Sequence, residues 1–225
     1  MISLRDIARR CVGLSGSFSL LIDFFGFRNS PNQPSILLSL IRQVRLLRDG
    51  QRVTIHLKIV TNPTSFTLDR MIDAMRQVYG NFGIGVVVRS IENLNLGPDF
   101  LDIDVGSCVR GQTTNEQNQL FNNRNNVGNN EVVVYMVRST NPPFNGCAAF
   151  PANRPGAIVV RNASEWTLAH EVGHVLGLRH VDDSSNCLLD RLMTGCGTSR
   201  ITNPPPDFIQ SEVNTINNSQ LTIRC

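Results

Sequence analysis

Three of the four histidines in this 225-residue chain fall within eleven residues, in the run W-T-L-A-H-E-V-G-H-V-L-G-L-R-H from Trp166 to His180. Four residues apart on a helix is about one turn, so His170 and His174 share a face and both imidazoles can reach one metal ion. Glu171 points roughly 100° further round, beside the metal's open position rather than among its ligands. Gly177 can take a positive φ and end the helix, which brings His180 back as a third nitrogen ligand. Three protein ligands and a water make the arrangement of a catalytic zinc, one ion, because a fourth protein ligand would close the position that the chemistry needs. A surface helix that merely carried histidines on its polar face would require neither a carboxylate at 171 nor a glycine at 177.

The pattern H-E-x-x-H-x-x-G-x-x-H resembles the zinc-binding consensus of the metzincin metallopeptidases. Those enzymes place a methionine-containing turn beneath the metal, and the run Leu192, Met193, Thr194, Gly195 offers Met193 for it. At the third histidine the chain departs from two branches of the clan. Val181 stands where adamalysins have Asp, and the turn lacks the tyrosine of astacins and serralysins, the only tyrosines being Tyr79 and Tyr135. Gly146, Ala148 and Pro151 match the Gly-x-Ala-x-x-Pro segment that forms the edge strand above the cleft in the matrixin branch, the most similar one. The resemblance covers roughly residues 51–225. It implies a zinc-dependent endopeptidase with Glu171 as general base and a substrate-pairing edge strand of Cys147, Ala148, Ala149 and Phe150. Two other classes share the motif: a catalytically silent zinc-containing toxin or binding module, and a zinc hydrolase of a non-peptide amide.

To hold such a helix the chain needs a sheet behind it, and the hydropathy pattern supplies one from residue 51 onward. Residues 52–60 alternate as a strand, and 67–79 read as a helix with Leu68, Met71, Ile72 and Met75 as its buried stripe, stopped by Gly80. Further strands are expected at 84–88, 131–137 and 157–160, with a long Asn-rich loop over 111–130 that holds at most a short helix near Leu120. Asn162 with Glu165 has the spacing of a capping box for the zinc helix. The expected fold class is α/β (α+β), and the resemblance makes it a metzincin-like twisted mixed sheet with a zinc-binding active-site helix and a small C-terminal subdomain. Segment 194–206 should wall the pocket beside the metal. His56 lies on a strand, away from the motif, and reads as a packed histidine; no second zinc is expected.

Residues 1–50 form a separate unit: a helical prelude, a pro-segment or a leader. Residues 1–10 are basic and 11–27 largely apolar, but Asp23 interrupts the run. Ser35 can cap a helix with Leu37, Leu40, Ile41, Val44 and Leu47 on one face and Arg42, Arg45 and Arg48 on the other, a pattern that packs on a neighbouring domain or on an anionic membrane. This unit carries seven Arg against three Asp out of a net charge of +3, so residues 51–225 sum to about −1 and carry no basic stripe for nucleic acid. The expected partner is therefore a protein or peptide substrate, met by a monomer. No stretch approaches twenty apolar residues.

Six widely spaced cysteines, Cys11, Cys108, Cys147, Cys187, Cys196 and Cys225, form no C-x-x-C pair and point to disulfides and a secreted or extracytoplasmic location. Cys187 with Cys196 is the expected local pair, closing the loop between His180 and Met193. Arg10 and Cys11 resemble, without the following glycine, the matrixin pro-segment motif whose thiolate blocks the zinc. Cys11 is therefore a latency thiol, a disulfide partner or a buried thiol.

Overall fold

The computed structural model describes residues 50–182 and 185–224. The prelude over 1–50, its amphipathic helix and Cys11 thus lie outside the described residues, apart from Gly50. The elements are β1 (Gln51–Ile59), α1 (Leu68–Asn81), β2 (Ile84–Asn93), β3 (Asp102–Asp104), α2 (Asn115–Leu120), β4 (Val132–Val137), β5 (Ser139–Asn141), β6 (Gly146–Cys147), β7 (Gly156–Val160), α3 (Thr167–Val175), α4 (Gln210–Asn217) and β8 (Thr222–Arg224).

The main sheet runs β2-β1-β4-β7-β6, with β8 added beside β1. Strands β2, β1, β4 and β7 are mutually parallel, while β6 lies antiparallel on the β7 edge and β8 antiparallel to the start of β1. This is the mixed α/β sheet expected from the sequence. Parallel strands are covered on both faces, which is why β4 reads Val-Val-Val-Tyr-Met-Val without alternation and is buried throughout.

Strand β1 does alternate, and both of its faces are nevertheless buried. Val53, Ile55, Leu57 and Ile59 join the apolar core, whereas Thr54, His56 and Lys58 face a polar layer. There His56 meets the Ser90 hydroxyl through Nδ1 at 2.7 Å and the Glu131 carboxylate through Nε2 at 2.9 Å. Lys58 pairs with Glu92 and reaches the Asn125 carbonyl. The Asn-rich loop forms the lid of this layer. Its short helix α2 is capped reciprocally by Thr114 and Gln117, and Arg124 donates to the carbonyls of Pro155, Gly128 and Glu131. His56 is thus a packed histidine whose two nitrogens are spent on the sheet.

Several boundaries differ from the periodicity. Helix α1 runs through Gly80 to Asn81, and the left-handed residue that turns the chain into β2 is Gly83, with φ 81°. Strand β2 continues to Asn93 because β1 pairs with it along its whole length, although its second half is half-exposed. The β3–β5 pair and β8 are three-residue strands, too short for an apolar run to betray them. The Asn162–Glu165 capping box does not form. Residues 160–164 turn first, with Ala163 N–H donating to the Val160 carbonyl at 3.1 Å, so α3 begins at Thr167 and Glu165 pairs instead with Arg70.

Helix α1 fixes α3 from behind. The fully buried Tyr79 donates its hydroxyl to the Ala169 carbonyl at 3.0 Å, one residue before His170, and its ring meets Phe208 edge-on with centroids 5.3 Å apart. Burial alone holds the Tyr79 phenol protonated, well above its ordinary range. Tyr79→Phe keeps the ring contact and removes only the donor, so it should lower stability by about 1 kcal/mol in urea denaturation with an unchanged m-value.

Candidate metal centre and cleft

Helix α3 ends where the sequence has glycine. The Leu178 N–H donates to the Gly173 carbonyl at 3.0 Å, the Gly177 N–H donates to His174 at 3.0 Å, and Gly177 has φ 110°. This is the paired closure of a left-handed helix end, and it redirects the chain so that His180 returns towards the helix. The Nε2 atoms of the three histidines converge: His174 to His170 at 3.1 Å, His174 to His180 at 3.1 Å, and His180 to His170 at 3.3 Å.

The other ring nitrogens decide what these Nε2 atoms carry. His170 Nδ1 lies 2.7 Å from the Leu192 carbonyl and His174 Nδ1 lies 2.9 Å from the Leu178 carbonyl. A carbonyl can only accept, so both Nδ1 atoms hold the proton and both Nε2 atoms present bare lone pairs. Burial, reinforced for His170 by its histidine neighbours, lowers His170 to about 3 and His174 to about 4, and burial lowers His180 as well, so the imidazoles are neutral at pH 7. Nitrogens bound to a tetrahedral zinc stand roughly 3.3 Å apart, close to the spacing found. The three histidines could therefore hold one metal ion, and neutral imidazoles suit zinc.

Met193 is completely buried beneath this group. A Cβ added at Gly173, midway between the ligating turns of α3, would stand 2.7 Å from the Met193 Sδ, so the thioether lies flat against the helix where a side chain would otherwise project. Met193 O also accepts from Val181 N–H at 3.1 Å, joining the residue after His180 to the turn. Sequence reasoning missed Asp182. Its carboxylate accepts from the Thr194 hydroxyl at 2.7 Å and from the backbone N–H groups of Gly195 and Leu188. Burial pushes the Asp182 carboxyl up, and these donors outweigh it, leaving the group below the usual carboxylate range. An Asp two residues past the last histidine is a signal for such backbone capture only once the turn it grips is known. The expected Cys187–Cys196 disulfide closes the same loop, with Cα atoms 5.7 Å apart.

Glu171 is buried on the side of α3 that faces β6. A Cβ at Gly146 would fall 2.5 Å from its Oε1 and 2.6 Å from its Cδ, so only glycine leaves room for the carboxyl there. Burial raises Glu171 to about 8. The edge strand is shorter than expected, with β6 ending at Cys147. The Val160 N–H donates to the Asn145 carbonyl, and antiparallel pairs alternate, so Cys147 turns its backbone groups towards β7 while Gly146 and Ala148 turn theirs outward. Gly146 and Ala148 line the cleft, whereas the buried Ala149 has its carbonyl taken by the Gln117 side chain at 3.1 Å. Cys147 is held in a second disulfide, to Cys108, which spacing had not suggested. Phe150 carries Arg110 over its ring. Of the four edge residues expected from the sequence, only Ala148 therefore opens onto the cleft, joined there by Gly146.

The cleft measures about 1000 Å³ and contains the three histidines, Glu171 and Thr194 to Thr198, the first part of the segment expected to wall it. No family model matches the chain, and no curated protein matches it. Among solved structures, it is similar to metalloproteinase-II from Bacteroides fragilis, with TM-score 0.51, 18% identity, 74% of this chain covered and 52% of that one. The chain shares the mixed α/β fold of that protein. It spans about half the length of that protein. A chaperone–substrate complex superposes more loosely, with TM-score 0.46, 17% identity and 76% and 34% of the two chains covered, and carries no weight here.

Two histidines without the third make a poor site, so His174→Ala should weaken zinc binding by at least about 100-fold against the unaltered chain in competition with a chromophoric chelator. Far-ultraviolet circular dichroism should stay unchanged, which separates loss of ligand from loss of fold.

Proposed function

We propose that the chain is a zinc-dependent endopeptidase whose catalytic unit is residues 51–225, cutting peptide bonds inside a protein or peptide outside the cytoplasm. The observation that carries this reading is the convergence of three neutral imidazoles, two with bare Nε2 lone pairs, at zinc spacing beside a buried carboxyl that is not one of them. Its resemblance to metzincins, the metalloproteinase fold and the two disulfides agree with it.

Zinc, when bound, supplies a Lewis acid and brings the pKa of its water towards about 7. The rest falls to this chain's own side chains and backbone. Glu171 takes a proton from the attacking water on a carboxylate oxygen and returns it to the nitrogen of the leaving amine. Its buried position raises the proton affinity of the carboxylate, which suits a group that must hold a proton between two steps. An adjacent cation shifts Glu171 the other way, towards the ionised form that can accept. Gly146 and Ala148 offer outward backbone groups to an extended peptide, which would pair with them as a further strand and lie across the mouth of the metal site. Met193 and Asp182 act through the histidines by holding the floor and the loop that carry them.

Glu171→Gln should bind zinc as the unaltered chain does and lose turnover by about 10² to 10⁴-fold, because it removes a proton acceptor and leaves all three ligands. Gly146→Ala should retain zinc and also lose turnover, through displacement of Glu171 rather than its removal. A peptide library digested with and without a chelator provides the assay. Chelator-sensitive cleavage that Glu171→Gln abolishes is the expected result. Zinc binding with no cleavage of any peptide would favour a silent zinc module, and cleavage confined to a non-peptide amide would favour the other hydrolase.

A further inference from the structure

One wall of the cleft is built by a loop that neither the metal nor Glu171 requires. Between β3 and α2 the chain bends through three left-handed residues in six, Gly106 with φ 53°, Cys108 with φ 52° and Gly111 with φ 83°. A non-glycine residue at positive φ is costly unless its surroundings enforce it. Here the enforcement is dense. The Gly106 N–H donates to Asp104 Oδ1 at 2.9 Å, Cys108 N–H to the Val105 carbonyl at 3.0 Å, and Gln112 N–H to the Val109 carbonyl at 2.9 Å. The disulfide from Cys108 then fastens the loop to Cys147, on the strand whose neighbours Gly146 and Ala148 open onto the cleft.

What the loop presents is one cation and one apolar side chain. Val109 is 49% exposed and lines the cleft beside Phe144, which is 41% exposed. Arg110 lines it too, with its guanidinium carbon 5.5 Å from the centre of the Phe150 ring and no carboxylate partner among the described residues. Stacking on a ring orients a guanidinium and leaves its in-plane N–H donors free for a carboxylate. Among the described residues that line the cleft no carboxyl competes, apart from the buried Glu171, and Arg179 adds a second positive charge.

We propose that the disulfide-fastened loop carrying Val109 and Arg110 selects the substrate: Arg110 receives an acidic side chain of the peptide, and Val109 with Phe144 covers an apolar neighbour. This rests on the endopeptidase reading and gives it a substrate class, peptides with an acidic residue close to the cleaved bond.

The test uses the zinc-loaded full chain and three sets of peptides, identical except for Glu, Gln or Lys, with that residue moved stepwise along either side of the cleaved bond. At one position kcat/KM should rank Glu above Gln above Lys, with about tenfold between the extremes at low ionic strength and little difference at high salt. Arg110→Glu should reverse that order, which a merely structural role for Arg110 would not do. Replacing Cys108 and Cys147 together by Ser should flatten it. An order unchanged in Arg110→Glu, or reversed only in Arg179→Glu, overturns the proposal. Binding of the same peptides to the Glu171→Gln protein, read by fluorescence anisotropy, should follow the same order. If no peptide is cut, the endopeptidase reading fails, and this binding order still decides the role of Arg110: equal binding of all three, or none, overturns it.

Discussion

Lone pairs aimed at one point repel one another, and two imidazoles in this chain bring bare Nε2 atoms to within 3.1 Å with the third ring equally close. The surrounding structure helps to keep the rings there. That restraint comes from two carbonyls outside the regular helix ladder. Leu178 O holds His174 and exists in that place because Gly177 closes the helix; Leu192 O holds His170 and depends on the turn that carries Met193. The turn is in turn gripped by Asp182 and closed by Cys187–Cys196. Residues 180–182 and 187–196 therefore clamp the three histidines, and the buried thioether of Met193 packs against α3 at Gly173. These carbonyl partners also fix the tautomer, and with it the basicity of the Nε2 atoms.

A second coupling runs between sheet and helix. Glu171 leaves α3 on the side of β6 and fills the space that any side chain at Gly146 would need. The same residue that accommodates the carboxyl also turns its backbone towards the cleft, so the outward-facing backbone and the position of Glu171 are set by one short stretch of chain. Tyr79, its ring packed against Phe208, fixes the opposite side of the helix, so α3 is held from the sheet and from α1 at once. Side chains locked by packing on all sides lose little further freedom on binding a metal or substrate, which is the physical use of such a crowded core.

How much of this is legible in the sequence depends on whether the signal is local. The histidine spacing, Gly177 as helix stop and the Cys187–Cys196 loop are local, and each is visible in a window of about ten residues. Strands β4 and β7 announce themselves because burial on both faces demands apolar runs, and β1 does so by its alternation. Features set by partners distant in sequence are not visible. Cys108 meets Cys147 only because β6 lies at the sheet edge, and the β3–β5 pair consists of triplets too short to show a period. Asn162 and Glu165 have capping spacing, yet the tight turn after β7 delays the helix and gives Glu165 to Arg70. The edge strand is displaced for a similar reason. Its register against β7, not its composition, decides that Gly146 and Ala148 face the cleft while Cys147 and Ala149 turn away.

In the proposed enzyme three imidazoles hold one zinc and leave one position for water. Zinc-edge X-ray absorption on the full chain loaded with one equivalent of zinc measures that directly. The expected result is a four-atom shell of nitrogen and oxygen at about 2.0 to 2.1 Å, with the outer-shell pattern of three imidazoles. A sulfur scatterer at about 2.3 Å would mean a cysteine thiolate closes the site, and a shell with fewer than three imidazoles would mean the convergence of His170, His174 and His180 is not the metal site; either would contradict it.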